Sequence, residues 1–339
     1  MSSSTSGSDL KRAARTLLWL AAFLFLFDRG LTWLLARSEA VFYRDPEYTS
    51  QFREFMKDKS YSTLILGTSR TKEGIHPRYF KTILGQEAYR EAGSGKGPRY
   101  DYFFYEFYKK CAGIPKIVVL GVDYFIYQVD SHKEWLARMG QTREIRGLLS
   151  SPSLLLAGRK DIEDFLNAVI LRAGRILGAK SLALPAPDFV KDQEFIGIDP
   201  NPGGLITERP ASFKRQRYTR FPGKEGAYLK MLLDEWRKDG VTVLMVVIPD
   251  YAGSYVTNIG QLRAMADLKR LTRDYPNVRI YDFNRPRMFP LGNVEYFRDG
   301  GYGKANSHLS RAGAEAFNRI LLERIRPWYS GGPPEKPTP

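Results

Sequence analysis

The chain has 339 residues, of which 43% are hydrophobic, and this is enough apolar material for one large core or two small ones. Its formal net charge of +15 predicts attraction to an anionic partner, which leaves nucleic acid, phospholipid head groups and acidic glycans open. The single cysteine, Cys111, excludes an intramolecular disulfide and a cysteine-based zinc cluster, and three scattered histidines argue against any metal site.

The first segment of the chain has the pattern of a membrane anchor. Residues 1–15 are polar and carry three bases near their end, and the apolar segment 16–36 follows, interrupted by Asp28 and Arg29. The 21 residues of this segment are enough to cross a bilayer. Bases in front of an apolar run without a cleavage site favour an uncleaved signal anchor, with 1–15 as a cytoplasmic tail and the remaining chain outside. The alternatives are an amphipathic helix of a soluble protein and a helix lying on the bilayer.

A buried strand and a serine follow. Residues 37–60 are charged and aromatic and predict a stalk helix. The run 62–66 then predicts a buried strand, which Gly67 and Thr68 end, so that Ser69 stands at the carboxyl end of the strand. A serine on a tight turn after a strand exposes its hydroxyl and aims a backbone N–H at the same point. Such a serine could attack a carbonyl and hold the resulting oxyanion.

Further stretches predict the rest of the sheet. The apolar runs 117–121 and 241–248 and the mixed stretch 87–91 predict strands, and the alternating run 278–282 predicts an edge strand. Helical patterns separate them, among them an aromatic one at 99–110 whose rings we assign to the core rather than to a sugar platform. Strands that alternate with helices predict the fold class α/β, with a doubly wound, mainly parallel sheet flanked by helices.

No motif predicts a cofactor. The string Gly-Ser-Gly-Lys at 93–96 suggests a phosphate-binding loop, but the first glycine of that motif is missing because position 90 is arginine. We therefore expect neither a nucleotide cofactor nor a metal.

The strand pattern stops at about 131–220, which predicts a helical and loop insertion above the carboxyl edge of the sheet. Near its end, bases alternate with aromatic residues. The candidates for polymer or head-group binding are Arg215, Arg217, Tyr218 and Arg220. This pattern also fits RNA or a solvated loop without function. A membrane anchor favours lipid head groups or an anionic polymer and disfavours nucleic acid.

Only three histidines could serve Ser69 as a base: His76, His132 and His308. His308 directly precedes a helix for which Ser310 is a suitable N-cap. The predicted pair is therefore Ser69 with His308, from opposite ends of the chain.

These motifs together resemble the SGNH (GDSL-like) hydrolase superfamily: a Gly-x-Ser turn after the first strand, a glycine after the second, and His-Leu-x-x-x-Gly-Ala before the last helix. The closer likeness is to its membrane-anchored branch, the proteins of D-alanyl-lipoteichoic acid synthesis and of alginate O-acetylation. The resemblance implies one SGNH-like domain at 61–328 that contains the insertion. The tail 329–339 is predicted to be disordered from its composition.

The resemblance implies roles for single residues. Ser69 is the expected nucleophile, His308 its base, and the N–H of Gly93 a second donor to the oxyanion. Relatives carry an oxyanion-binding Asn where this chain has Asp123, and an ionised carboxylate cannot donate a hydrogen bond. The oxyanion hole is then left to backbone groups, unless Asp123 binds substrate.

Two more positions near the dyad leave alternatives open. In relatives an acid three residues before the histidine orients its ring, and this chain has Ala305 there. Asp299 is the candidate substitute, because a glycine-rich loop could fold it back toward the histidine; a backbone carbonyl is the alternative. Arg70 could bind an anionic group of the substrate or pair with an acid.

Two functions of different class follow. The resemblance implies an acyl esterase or O-acyltransferase that takes an acyl donor and a cell-envelope glycan, outside the cytoplasmic membrane and beside a membrane-bound O-acyltransferase. The alternative is a non-catalytic SGNH-like module that binds or presents an anionic polymer. The missing acid and the Asp123 substitution favour the alternative, while Ser69 and His308 favour the enzyme.

Overall fold

A computed structural model describes residues 12, 14–27, 30, 46–57, 59–93, 96–123, 189–195, 224–252, 259–299 and 305–331. The chain divides into two compact units, Met1–Pro46 with Leu136–Pro185, and Glu47–Trp135 with Ala186–Pro339. Of the first unit, the structure describes mainly one helix. The second unit contains the sheet and the candidate site.

Helix α1 spans residues 14–27, within the predicted tail and anchor. Its large apolar side chains are 45–71% exposed, and they include the consecutive residues Leu17, Leu18 and Trp19, so apolar surface extends around the helix. Across the described ranges, no helix is both long enough and apolar enough to cross a membrane. Residues 31–36 of the predicted anchor lie outside the described residues.

The second unit is built on a parallel sheet, as the sequence predicts. Its strands are β1 Thr63–Gly67, β2 Ala88–Ala92, β3 Ile117–Val122, β4 Thr242–Val247 and β5 Val278–Asp282. They lie in the order β2-β1-β3-β4-β5, and every neighbouring pair is parallel. The chain leaves β1 toward one edge and returns on its other side at β3. Sheets of this doubly wound class bind ligands at such a reversal, beyond the carboxyl ends of the strands.

Helices flank the sheet. In chain order they are α2 Pro46–Met56, α3 Ser69–Gly74, α4 Pro77–Tyr79 (which runs into a π-helical turn, Phe80–Leu84), α5 Pro98–Ala112, α6 Phe189–Glu194, α7 Lys224–Lys238, α8 Ile259–Thr272 and α9 Arg311–Tyr329. Helix α6 lies in the predicted insertion, in a stretch where the sequence predicts only loop. The stalk prediction corresponds to α2 in its later part.

A second, antiparallel pair of strands was not predicted. Strands β6 Phe297–Asp299 and β7 Ala305–Leu309 form it, and His308 lies in β7. Both strands are short and polar, so they give no period-2 apolar signal. Helix α9 begins directly after β7 with Ser310 as its N-cap, as predicted, because the Ser310 hydroxyl accepts a hydrogen bond from the Gly313 N–H at 3.1 Å.

The aromatic residues of α5 belong to the core, as the sequence analysis assigns them. Tyr100, Phe104 and Tyr108 are at most 1% exposed. Phe104 packs edge-on against Phe52 of α2, with ring centres 5.9 Å apart, and Phe52 in turn lies 5.7 Å from the ring of Tyr89 on β2. The end of the predicted stalk therefore packs on the outer strand of the sheet.

A buried polar link joins the start of α4 to α9. The His76 N–H donates to Asn318 Oδ1 at 2.9 Å, and Asn318 Nδ2 donates to the Gly74 carbonyl at 2.8 Å. His76 also caps α4, since its Nδ1 accepts from the Arg78 N–H at 3.0 Å. Burial, together with the positive charges of Arg90 and Arg78, lowers the pKa of His76 to about 4.

Replacing His76 with asparagine should flatten the pH dependence of stability. With a folded-state pKa of about 4 against 6.5, folded His76 binds fewer protons than the unfolded chain, so stability falls as pH drops from 6.5 toward 4. At pH 5 the loss is about 2 kcal/mol relative to pH 7. Asparagine can still cap α4, but it does not titrate, so the variant should not show this loss. Urea unfolding of wild type and His76→Asn at pH 7 and pH 5 measures this loss of stability. An equal loss in the two proteins would contradict the assignment.

Candidate active site

Ser69 and His308 meet at the reversal of strand order. Ser69 is the first residue of α3 and follows β1, while His308 lies in β7 directly before α9. Ser69 Oγ lies 2.9 Å from His308 Nε2, within hydrogen-bonding distance, and both side chains are partly exposed. The structure thus brings together the nucleophile and base that the sequence predicts, from positions 239 residues apart.

The turn that presents Ser69 depends on two glycines. Gly67 has a φ of +138°, in the region that favours glycine, and a Cβ there would lie 2.9 Å from the Gly121 carbonyl oxygen. A Cβ on Gly121 would lie 2.8 Å from both Cβ and Cγ2 of Thr71 and closer still to its Oγ1. Because both positions lack a side chain, Thr71 and with it α3 can approach β1 and β3 closely.

The backbone around Ser69 leaves one donor available. The Ser69 N–H makes no hydrogen bond to any of the residues that the structure describes. The next N–H, that of Arg70, donates to the N-capping hydroxyl of Thr68 at 3.3 Å. A free N–H beside the nucleophilic oxygen is the geometry needed to stabilise an oxyanion on an attacked carbonyl.

Gly93 does not supply the second donor in this conformation. Its N–H donates to the Gly67 carbonyl at 3.1 Å, which extends the pairing of β1 and β2 by one residue. The role that the resemblance implies for Gly93 is therefore corrected here: the donor lies at the right strand end, but a strand-type hydrogen bond occupies it. Only a local opening of this bond would free it.

Arg70 pairs with acids, which is the second of its two predicted alternatives. Its side chain is 1% exposed, and its guanidinium contacts Asp123 Oδ1 at 2.8 Å and Asp250 Oδ1 at 3.0 Å. Asp123 is equally buried and also accepts a hydrogen bond from the Thr68 hydroxyl. Neither Arg70 nor Asp123 reaches the surface, so neither can contact a substrate in this conformation, which corrects the prediction that they bind one.

For Asp299, the candidate acid for orienting His308, the structure describes only the backbone. Asp299 ends β6 and is the partner of Ala305 across the β6–β7 pair. Position 305 is where the resemblance to the SGNH superfamily leads one to expect the acid. The role of Asp299 stays a prediction. The polymer-binding candidates lie outside the described residues, and they are Arg215, Arg217, Tyr218 and Arg220.

The sequence analysis missed two residues of the site. Thr68 is the N-cap of α3 and bonds to Asp123, and Asp250 follows β4 and binds Arg70. A signal for Asp250 was present, because it stands just beyond an apolar strand. The carboxyl ends of parallel strands share one edge of the sheet, so an acid there is expected near Ser69.

Comparisons with known proteins give only distant structural similarity. No protein-family model matches the chain, and no curated protein matches it. Among solved structures, the chain is similar to a candidate platelet activating factor from Streptococcus pneumoniae, at 11% identity and a TM-score of 0.34, with 91% of this chain and 98% of the other covered. It is also similar to the catalytic domain of the peptidoglycan O-acetyltransferase OatA from the same species, at 11% and 0.34, with 81% and 97% covered. Likeness at this level carries no argument about fold or activity.

Proposed function

We propose that this chain is a serine-dependent esterase or O-acyltransferase with an SGNH-like site. The observation that carries the proposal is the 2.9 Å contact between Ser69 Oγ and His308 Nε2, at the carboxyl end of β1 and beside an unbonded backbone N–H. A serine hydroxyl is a weak nucleophile until an adjacent base takes its proton, and this contact supplies the base.

In the first half-reaction, Ser69 Oγ attacks the acyl carbonyl carbon while its proton passes to His308 Nε2. The carbonyl electron pair moves to oxygen, and the Ser69 N–H donates to this oxyanion. Collapse of the tetrahedral intermediate breaks the bond to the leaving oxygen or sulfur, which takes the proton from His308. The acyl group is then esterified to Ser69.

In the second half-reaction, a hydroxyl group or water attacks the acyl-enzyme. The proton of this hydroxyl or water passes to His308 Nε2. Collapse of the second tetrahedral intermediate then transfers the acyl group to the acceptor, and Ser69 Oγ regains its proton from His308. Water as acceptor gives an esterase, and a glycan hydroxyl gives an O-acyltransferase. Both use the same residues.

The free donors set the expected rate. With the Gly93 N–H held by Gly67 and Asp123 paired with Arg70, the Ser69 N–H is the one donor to the oxyanion that we identify among the described residues. Each missing donor costs about 10²–10³ in rate. We therefore expect slow turnover of simple esters by the isolated protein, faster if a partner or substrate opens the Gly93 hydrogen bond.

The proposed acceptor is a cell-envelope polysaccharide, and the proposed partner is a membrane-bound O-acyltransferase that delivers the acyl group. Two features support this choice. The resemblance to the anchored SGNH branch implies it, and a net charge of +15 attracts an anionic polymer.

The proposed location is the extracytoplasmic face of the cytoplasmic membrane, with α1 in the anchor. Support comes from the exposed apolar side chains of α1 and from the bases that precede them, Arg12 and Arg15. Fractionation of cells tests the location. Recovery of the protein in the membrane fraction after a high-salt wash is expected, and recovery in the soluble fraction would contradict it.

A non-catalytic module that binds or presents an anionic polymer is the second candidate. The observation that favours it is the loss of two oxyanion donors, since the Gly93 N–H is bonded to Gly67 and the buried Asp123 is paired with Arg70. This candidate gives Ser69 no covalent chemistry, so trapping the acyl-enzyme separates the two.

Exposure of the full chain in detergent to p-nitrophenyl acetate should add one acetyl group to Ser69 and release one equivalent of nitrophenolate in an initial burst. The Ser69→Ala variant should show neither, because no other described serine lies against a histidine base. Intact mass and peptide mapping provide the readout. Acetylation of wild type and variant to the same extent would exclude Ser69 as the nucleophile and support the binding module.

A further inference from the structure

We propose that Asp123 and Arg70 form a positioning device for the nucleophile, in which Asp123 has exchanged the oxyanion-binding role implied for this place for the role of holding the Ser69 turn. The proposal rests on the proposed function of Ser69. It explains why an acid stands where the SGNH resemblance leads one to expect an amide donor.

The main observation is that one carboxylate binds both neighbours of the nucleophile in the chain. Asp123 Oδ2 accepts a hydrogen bond from the Thr68 hydroxyl, and Asp123 Oδ1 contacts the Arg70 guanidinium at 2.8 Å. Ser69 stands between these two residues. Fixing the side chains on either side to one rigid strand end restricts the backbone rotations that aim the Ser69 hydroxyl and N–H.

Arg70 also binds the residues that follow the neighbouring strand, β4. Its second terminal nitrogen lies 3.0 Å from Asp250 Oδ1 and donates to the carbonyls of Ile248 and Pro249 at 3.1 and 2.8 Å. One planar guanidinium thus joins the ends of β3 and β4 beneath the turn. The guanidinium presents several fixed donors in a fork, and a lysine ammonium on its flexible stem cannot make all of these contacts at once.

The chemistry of Asp123 suits this task better than asparagine does. A carboxylate has two acceptor oxygens and no donor, so it can serve the Thr68 hydroxyl and the guanidinium together. An amide offers one acceptor oxygen, and its NH₂ group would face a donor. The pair is also 0–1% exposed, so water cannot replace a lost contact easily.

The test compares Arg70→Lys and Asp123→Asn with a matched control, Arg90→Lys. Arg90 is also buried, at 3% exposure, and its guanidinium donates to backbone carbonyls, among them Lys72 and Ile75 near the far end of α3. None of its contacts is with the turn at Ser69. Three quantities are measured on the full chain: the melting temperature, the rate of Ser69 phosphonylation by a fluorophosphonate, and the ¹⁵N resonance of His308 Nε2.

Phosphonylation of Arg70→Lys should be about 100-fold slower and that of Asp123→Asn about tenfold slower, because displacement of about 1 Å is enough for such losses. Their His308 resonance should move toward that of Ser69→Ala, which marks the loss of the serine contact. Arg90→Lys should melt lower but retain the rate within about twofold. Asp123→Asn is the milder change and keeps the test valid if Arg70→Lys does not fold.

Equal rate losses in Arg70→Lys and Arg90→Lys at equal melting temperatures would overturn the proposal, since both would then report only stability. An unchanged rate and an unchanged His308 resonance in the Arg70 and Asp123 variants would overturn it as well. Failure of the proposed function is distinguishable, because wild type would then not be phosphonylated. In that case the His308 resonance alone, which needs no reaction, decides whether Arg70 and Asp123 position Ser69.

Discussion

Replacing His308 with alanine should slow the phosphonylation of Ser69 by about 10³-fold while leaving the protein folded. The Ser69 hydroxyl lies 2.9 Å from His308 Nε2, and general-base assistance from such a group is worth about 10²–10⁴ in rate. Time courses of intact mass with a fluorophosphonate measure the rate. His308 is partly exposed, so the loss of its ring from the fold costs little stability.

The matched control for His308 is His76→Asn. His76 is also an imidazole near α3, but its Nδ1 caps α4 and its side chain is 4% exposed. Its loss should leave the phosphonylation rate within about twofold of wild type. A His308→Ala protein that reacts at the wild-type rate would show that another group, or none, takes the proton from Ser69.

Replacing Gly121 with alanine should both destabilise the protein and slow the reaction of Ser69. The added methyl group would lie 2.8 Å from two carbons of Thr71, two residues after the nucleophile, and would collide with Thr71 Oγ1. Overpacking of this kind costs about 1–3 kcal/mol in the free energy of unfolding. Because α3 must move away from β3 to relieve the collision, we expect phosphonylation to fall by about 100-fold.

The second substitution Thr71→Ala should restore part of both losses. It removes two of the three colliding atoms, and Thr71 Oγ1 has no hydrogen-bond partner among the described residues, so its removal alone costs little. Gly292→Ala is the control, because a Cβ there meets nothing within 4 Å. Urea unfolding and phosphonylation rates provide both readouts. Equal behaviour of Gly121→Ala and Gly292→Ala would contradict the close packing of α3 on β3.

Much of the parallel sheet could be predicted from sequence because its strands β1, β3 and β4 are buried on both faces. Runs such as 117–121 and 241–248 are apolar at nearly every position, and this is a strong local signal. The position of Ser69 followed from the same signal, since the end of a buried strand is easily found. Of the three histidines in the chain, His308 was chosen for its position before the last helix and by the SGNH resemblance.

Other parts of the site could not be predicted, because they depend on contacts between distant segments. The short polar strands β6 and β7 have no apolar alternation, so the strand that carries His308 was missed. The Gly93 N–H was assigned to the oxyanion by resemblance, yet the register of β1 and β2 directs it to Gly67. Nor does the sequence show that Arg70 forms an ion pair with Asp123, because the chain contains 52 basic and 37 acidic residues.

The central claim is that Ser69 is a nucleophile activated by His308, and intact-mass analysis of the full chain after brief exposure to a fluorophosphonate tests it most directly. The account predicts a single adduct on Ser69 in wild type, none in Ser69→Ala, and a strongly delayed one in His308→Ala. Folded wild-type protein that forms no adduct, or forms it equally in Ser69→Ala, would contradict the claim and leave the polymer-binding module as the better description of this chain.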